Sequence, residues 1–460
     1  MKNKQVIDSW DKIKTDEAAH ERILNSVLGR IHAESAEKGE ASIMKINNKQ
    51  WKRLAAAAAC LVIVITVISL SNPFASVRAE DLMKGVNAGT VEGRPPDALF
   101  EKAMAEFSIE LFKKSVKENE NSLISPLSVL LALAMTANGT GGETLAQMEK
   151  VLGGDIPLAE LNEYLHSYVQ GLSDELKTAN SIWFRDDKGR LEVKKDFLQK
   201  NADYYGAAAY ASPFDAQTVK DVNNWVKDNT GKLIDSILEQ IDPNDVMYLI
   251  NAVVFDAKWE TVYEKKDVRK DYFEGAKGKQ KVDFMFSDES RYLDDGRATG
   301  FIKPYEGGKY SFAAILPNEG ISVGEYISSL TGAGFAELLA NVEYTSVNAA
   351  MPKFEYDYEF QMNDALIALG MPDAFDSGAA DFKNMAVSSM GNIFIGEVLH
   401  KTFITVDEAG TKAGAITKVE MVDECASPEG YTVKLDRPFV YAIIDSATNL
   451  PVFIGTVEFI

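Results

Sequence analysis

Cysteine and histidine are scarce in this chain, and their scarcity excludes several kinds of site. Only two cysteines, Cys60 and Cys425, and four histidines occur in 460 residues. Cys60 lies in an apolar run and Cys425 in a polar loop, which excludes a disulfide framework and argues against a structural zinc site. We therefore expect the chain to need no metal and no cofactor.

The sequence patterns of common enzyme active sites are also missing. The glycine-rich residues 139–142 are not followed by Lys and Ser or Thr, so they predict the end of a helix and not a phosphate-binding loop. No Gly-x-Ser-x-Gly or His-Glu-x-x-His pattern occurs. Cys425 follows Asp423 and Glu424, whose charges disfavour the reactive thiolate. We expect no catalytic residues, and the chain is predicted not to be an enzyme.

Positive charge is scarce beyond the N-terminal region. The chain has a net charge of −21, yet residues 1–79 contain twelve Lys or Arg and only eight Asp or Glu. Residues 1–79 therefore carry a net charge of +4, and residues 80–460 carry −25. So acidic a region repels nucleic acid and anionic lipid, and we expect no nucleic-acid partner.

The N-terminal region predicts a membrane anchor. Residues 1–53 are polar, with an amphipathic helix in the middle, and residues 54–70 form an apolar run without a charge. Basic residues precede this run, so the positive-inside rule predicts a cytoplasmic leader over residues 1–53 and a transmembrane helix over residues 54–71. A linker is expected over residues 72–96. The alternative is a signal peptide cleaved near Ala79, followed by secretion.

Residues 97–460 alternate helical and strand-like patterns, which indicates an α+β fold. Helices are predicted over residues 98–114 and 127–137. Strands are predicted over residues 249–255, 312–316, 393–406, 438–444 and 452–460, with a hairpin loop at residues 445–451 joining the last two.

A long connection over residues 408–435 separates two of these strand-like runs. Its first part alternates at period two, which predicts a segment able to form a half-buried strand. One face is small and then apolar: Thr411, Ala413, Ala415, Thr417, Val419 and Met421. The opposite face, which includes Gly414 and Ile416, is mostly polar or small. Small inward groups suit a strand that must pass between packed neighbours.

Several motifs of this region resemble those of serpins. Glu408-Ala409-Gly410-Thr411 with Ala413-Gly414-Ala415 is similar to the hinge of an inhibitory serpin's reactive loop. The resemblance recurs in the family's order from residue 121 onward and leaves residues 1–96 uncovered. Further matching segments are residues 121–128, 132–135, 142–144, 178–183, 224–226, 230–232, 250–252, 258–259, 316–317, 352–354, 369–371, 380–382, 400–404 and 436–439.

This resemblance implies a serpin fold, with a large mixed central β-sheet, smaller sheets and about nine helices. It implies a monomeric suicide inhibitor whose reactive loop, about residues 408–435, is cleaved by a serine or cysteine protease and then inserts as a strand. The hinge residues implied are Glu408, Gly410, Thr411, Ala413, Gly414 and Ala415. The resemblance also implies a shutter, a buried hydrogen-bond set beneath the central strands, formed by Ser125, Ser128, Asn251 and His400. It further implies a breach near the upper insertion point of the loop, where Trp259 packs.

The position of the cleaved bond stays open. Family spacing from the hinge points to Glu424–Cys425, whereas spacing from the downstream flank points nearer Ser427, and cleavage after Asp423 is a further alternative. No Lys or Arg lies between Val419 and Tyr431, so a trypsin-like target is not expected. The alternative function is a non-inhibitory binding or carrier protein of the serpin fold.

Overall fold

Two large β-sheets and the helices packed around them form the described part of the chain. The computed structural model describes residues 78–186, 191–232, 234–242, 245–389, 391–411 and 430–460. The predicted leader and transmembrane helix lie outside these residues, as does most of the long connection. No helix among the described residues has the length and apolar composition required to cross a bilayer.

The helices begin and end where capping side chains and apolar spacing place them. Asp97 accepts hydrogen bonds from the N–H groups of Leu99 and Phe100, and Ser125 caps a helix that is buried on every side. The α-helices are α1 (Ala98–Ser115), α2 (Pro126–Ala137), α3 (Gly142–Gly153), α4 (Leu158–Gln170), α5 (Lys195–Tyr205), α6 (Ala216–Asn229), α7 (Val323–Ser329), α8 (Gly332–Ala340) and α9 (Asn363–Leu369). Two 3₁₀ helices span Lys265–Asp267 and Pro372–Phe375.

The first sheet has eight strands and mixes parallel and antiparallel pairs. These strands are β1 (Glu80–Asp81), β3 (Leu176–Arg185), β5 (Ala208–Ser212), β6 (Met247–Phe255), β7 (Ala257–Lys258), β13 (Phe354–Gln361), β15 (Glu397–Val406) and β16 (Gly410–Thr411). Their order is β1-β5-β3-β6-β15-β16-β7, with β13 on the other edge of β15. Helix α2 packs against β3 and β6 and also reaches the second sheet.

The second sheet has nine strands, so it is not the smaller sheet that we expected. It consists of β2 (Ser122–Ile124), β8 (Val268–Gly275), β9 (Gly278–Asp294), β10 (Ala298–Pro304), β11 (Tyr310–Pro317), β12 (Glu343–Pro352), β17 (Tyr431–Lys434), β18 (Phe439–Asp445) and β19 (Pro451–Val457). Strands β18 and β19 are buried along their whole length, which explains their continuous apolar sequence. A small third sheet pairs β4 (Leu191–Val193) with β14 (Ala386–Ser388).

Two boundaries differ from the sequence-based expectations, and a third agrees with them. The strand predicted over residues 393–406 begins only at Glu397, because the N–H groups of Ile395 and Gly396 bond to Ala374 and Met247 outside the ladder. Residues 80–96, expected as linker, run along the folded unit, where Glu80–Asp81 pairs with β5. The glycine-rich residues 139–142 end α2, as predicted, and also begin α3.

Candidate functional site

The central sheet contains a gap between two parallel strands. Strands β6 and β15 pair over residues 248–252 and 397–401, a stretch that we call the seam. Beyond it, and counting only the described residues, residues 253–255 of β6 pair with β3 alone and residues 402–405 of β15 pair with β13 alone. Within the part of the chain that the structure describes, this leaves an unfilled strand position on the edge of β15 that faces β6, and we call it the slot.

The upper end of the slot is already occupied by two residues of the long connection. Gly410–Thr411 forms β16, which pairs antiparallel with Val406 of β15 and with Ala257 and Lys258 of β7. A Cβ atom on Gly410 would lie 2.1 Å from the carbonyl oxygen of Ala257, so this position requires glycine. The chain therefore enters the slot at Thr411.

A tight turn over residues 407–411, the hinge turn, precedes this entry. The Asp407 side chain accepts hydrogen bonds from the N–H groups of Ala409 at 2.8 Å and Gly410 at 3.3 Å. The Asp407 N–H donates to the Gly410 carbonyl oxygen at 3.1 Å. The turn reverses the chain, so β16 runs antiparallel to β15.

Trp259 lies directly beneath the hinge turn. Its backbone N–H donates to the Ala409 carbonyl at 3.0 Å, and its indole Nε1 donates to the Asp407 carbonyl at 2.8 Å. The indole stacks on Tyr305 with ring centroids 4.6 Å apart, and the Tyr305 hydroxyl lies 2.5 Å from Thr411 Oγ1. The hinge turn is thus held by main-chain and side-chain contacts from one aromatic surface.

An ion pair between Glu408 of the hinge turn and Lys353 also holds the turn in place. The Glu408 carboxylate contacts the Lys353 ammonium at 2.7 Å. Partial burial opposes ionisation of Glu408, yet its hydrogen bond to Lys353 and the charge of that ammonium outweigh this, and the pKa of Glu408 lies below its ordinary value. The Glu408 carbonyl also accepts a hydrogen bond from the Tyr263 N–H at 3.0 Å.

A buried hydrogen-bond chain crosses the seam. His400 Nε2 accepts from the Ser125 N–H at 3.1 Å, so Nδ1 carries the proton and donates to Asn251 Oδ1, also at 3.1 Å. Asn251 Nδ2 donates to the Ser128 carbonyl at 2.6 Å and to Asn180 Oδ1 at 2.5 Å. Ser125 Oγ donates to the Val452 carbonyl at 2.7 Å. These bonds tie β6, β15 and α2 together where a new strand would have to separate them.

The structure brings most of the predicted shutter and breach residues into contact with one another. Ser128 contributes its main-chain carbonyl to this set, whereas its buried hydroxyl has no partner among the described residues. The hinge residues Glu408, Gly410 and Thr411 lie at the slot, as described above. The remaining predicted residues lie outside the described residues: Ala413, Gly414, Ala415, Asp423, Glu424, Cys425 and Ser427.

Sequence reasoning missed several residues of this site. Three of them contact the hinge turn or the hydrogen-bond chain across the seam: Tyr305, Tyr263 and Asn180. Nothing in their local sequence pattern distinguishes them from ordinary core residues. Lys353 lies within residues 352–354, one of the matching family segments, but that match does not specify a role for its side chain.

His400 is neutral in the folded protein. Burial lowers the pKa of its imidazole from 6.5 to about 3. The Ser125 N–H donates a hydrogen bond to Nε2 of His400. If Nε2 were protonated, its own N–H would face the Ser125 N–H, and this hydrogen bond would be lost. The hydrogen-bond chain across the seam therefore depends on an uncharged histidine.

We expect the stability of the protein to fall in acid because of His400. Below pH 6.5 the unfolded histidine binds a proton that the folded state excludes, so the free energy of unfolding falls until pH reaches about 3. The slope reaches about 1.4 kcal/mol per pH unit, or about 2 kcal/mol between pH 7.5 and pH 5.0. Urea unfolding of the wild type and of His400→Gln at both pH values measures this, and the variant should lose about 2 kcal/mol less. An equal loss in both proteins would contradict the assignment.

Among the described residues, the central sheet has an unfilled strand position that the chain enters at Gly410–Thr411, and this arrangement defines the class of protein. A family model described as Serpin (serine protease inhibitor) matches residues 102–459. Serpin B6 of Macaca fascicularis is 31% identical over 376 residues, covering 76% of this chain and 96% of that protein. The chain belongs to the serpin family.

Solved structures agree with this assignment. The crystal structure of native tengpin, a thermophilic serpin, is similar with a TM-score of 0.81 and 53% sequence identity, covering 84% of this chain and all of tengpin. Tengpin in its latent state matches with a TM-score of 0.72 and 52% identity, covering 80% of this chain and 99% of that one. The TM-score is thus higher for the native than for the latent form of that serpin.

Proposed function

We propose that this protein inhibits a serine or cysteine protease by a suicide mechanism. The observation that carries the proposal is the slot, because its upper end already holds Gly410–Thr411 of the connection that the protease would cut. Since β6 and β15 are parallel, a strand between them has the same direction relative to both, and β16 runs antiparallel to β15. The hinge turn delivers the chain in that direction.

The sequence of the connection matches the two faces of the slot. If the Val406–Thr411 register continues, Ala413, Ala415 and Thr417 lie opposite Ile404, Thr402 and His400, whose side chains are buried. Ile416 then lies opposite Lys401 on the outer face. The small side chains meet the packed side of the sheet and the bulky one meets solvent.

Insertion has a favourable energy balance. Residues 412–420 would gain ladder hydrogen bonds on both edges, and at roughly 1 kcal/mol net per bond this amounts to about 10 kcal/mol or more. Separation of the seam loses the five residue pairs that join β6 to β15. The new strand replaces each lost pairing with two, so the inserted state is favoured once the connection is cut.

The chemical step is that of an ordinary protease acting on the connection. The protease's Ser Oγ or Cys Sγ attacks the scissile carbonyl, a C–O or C–S bond forms, the peptide C–N bond breaks, and the new amine leaves with a proton. The N-terminal side of the cut stays joined to the protease as an acyl-enzyme. Insertion of this arm would carry the protease to the far end of the sheet before water cleaves the ester or thioester.

The sequence of the connection restricts the target. We place the cut near Glu424–Cys425, with Asp423 and Ser427 as alternative positions. A Glu424 site requires a protease with a basic specificity pocket, and a cut after Asp423 requires an aspartate-specific one. A trypsin-like protease lacks a basic residue to recognise between Val419 and Tyr431.

The test incubates the full-length chain with glutamate-specific, aspartate-specific and elastase-type proteases, with trypsin for comparison. The proposal predicts a conjugate stable in SDS with at least one of the first three. Mass spectrometry of the released C-terminal peptide then identifies the bond. Cleavage in the connection without any conjugate would instead favour the non-inhibitory binding function.

We further propose that residues 54–71 anchor the protein in a membrane, with the serpin domain outside the cell and residues 1–53 in the cytoplasm. The apolar run and the basic residues before it support this orientation. Resistance of the full-length chain to extraction by carbonate is the expected result. Release of a chain beginning near residue 80 would support cleavage and secretion instead.

A further inference from the structure

A buried ion pair lies behind the aromatic surface that holds the hinge turn. The Lys303 ammonium on β10 contacts the Glu289 carboxylate on β9 at 2.8 Å, and their side chains are only 3% and 8% exposed. Removing two charges from water costs more than most single ion pairs return. Two apolar residues at these positions would make the protein about as stable as the ion pair does. The presence of the pair therefore requires an explanation other than stability.

The pair is connected to the hinge through two aromatic residues. Lys303 Nζ lies 4.4 Å from the centroid of the Tyr263 ring and 5.7 Å from that of the Trp259 ring. Ser287 Oγ donates to the Glu289 carboxylate at 2.7 Å, and the Tyr263 hydroxyl lies 3.2 Å from Ser287 Oγ. The ion pair therefore fixes both the face and the hydroxyl of Tyr263.

The same two aromatic residues hold the hinge turn through their main chain. The Trp259 N–H donates to the Ala409 carbonyl and the Tyr263 N–H donates to the Glu408 carbonyl, both at 3.0 Å. A shift of either residue lengthens a bond to the hinge turn. The ion pair is thus linked to the hinge turn through Tyr263 and Trp259.

We propose that Lys303 and Glu289 are positioning residues that hold the hinge turn at the mouth of the slot. Without the ion pair, Tyr263 and Trp259 are less restrained, so their hydrogen bonds to the hinge turn break more often. After cleavage, insertion of the severed arm then begins later. A larger fraction of the acyl-enzyme is therefore hydrolysed before insertion is complete. This last consequence depends on the proposed inhibitory function, whereas the effect on the hinge turn does not.

The experiment compares the full-length wild type with the double variant Lys303→Met and Glu289→Leu. Replacing both charges by apolar groups of similar size avoids an unpaired buried charge, so the overall stability should be retained. Single variants Lys303→Met and Glu289→Gln show what loss of one partner does to folding.

The first measurement is hydrogen exchange followed by mass spectrometry, which needs no protease target. In the double variant, segments covering residues 257–263 and 405–411 should exchange at least about tenfold faster, with unchanged exchange in α2 and β19 as the internal control. Unchanged exchange in the two hinge segments, or faster exchange throughout, would overturn the proposal.

The second measurement is the ratio of conjugate to cleaved product with any protease that the wild type captures. The double variant should give a several-fold lower ratio of conjugate to cleaved product, while its midpoint of urea unfolding stays equal to that of the wild type. A wild-type ratio in a stable double variant would show that the pair is merely structural. If the wild type captures no protease, the inhibitory function fails, and the exchange result still decides the positioning role.

Discussion

Ala415→Glu is expected to turn this protein from an inhibitor into a plain substrate. In the continued register residue 415 lies opposite Thr402, which is fully buried on the inner face of β15. A carboxylate there must enter the core unpaired, at a cost of about 3 kcal/mol or more. The ratio of SDS-stable conjugate to cleaved product should fall at least about a hundredfold.

The neighbouring residue provides a matched control. Ile416→Glu introduces the same side chain one position later, where the register places it on the outer face opposite Lys401. An opposite charge across strands is tolerated or slightly favourable, so the ratio should change by no more than a few-fold. Equal loss in the two variants would refute the proposed register. Thr411 is a poorer test position, because its side chain is already buried against Tyr305.

Asn251→Ala is expected to let the intact connection insert at a lower temperature. Asn251 accepts the hydrogen bond from His400 across the seam. A strand inserted between β6 and β15 would separate them to about two strand spacings, or roughly 10 Å, so that bond exists only before insertion. Its loss weakens the resting state selectively, and the rate of spontaneous conversion should rise about tenfold or more.

The conversion is measured by warming the uncut protein, cooling it, and determining which fraction then melts at a higher temperature. Asn162→Ala is the matched control, because Asn162 is equally buried and hydrogen-bonded to Asn138 but lies in α4, away from the seam. The control should lower stability without accelerating conversion. Equal acceleration in both variants would mean that general destabilisation, and not the seam, controls insertion.

The sequence specifies the residues of the proposed insertion path more fully than it specifies the contacts of the hinge turn and the seam. Alternation of small side chains after Gly410 is a local pattern, and in the continued register it matches the alternation of buried and half-buried residues along β15. The positions of His400, Asn251, Ser125 and Trp259 followed from family motifs. Which atoms they use did not follow: Ser128 contributes a carbonyl and not its hydroxyl.

The residues that sequence reasoning missed share a physical reason. Lys303 and Glu289 are charged residues of two consecutive paired strands, β10 and β9, and only the packing of the rest of the chain around those strands buries them. Residues 80–96 read as a linker because they contain prolines and glycines and little apolar periodicity, yet Arg94 pairs with Glu160 and lies over the Tyr164 ring. Such contacts depend on tertiary neighbours that no local pattern specifies.

The most direct test of the account is the melting temperature of the full-length protein before and after a single cut in residues 412–429. If the severed arm enters the slot, a gain of about 10 kcal/mol should raise the melting temperature by at least about 10 °C. A cut protein that melts at the same temperature as the intact one would show that no strand is taken up, and would contradict inhibition by insertion.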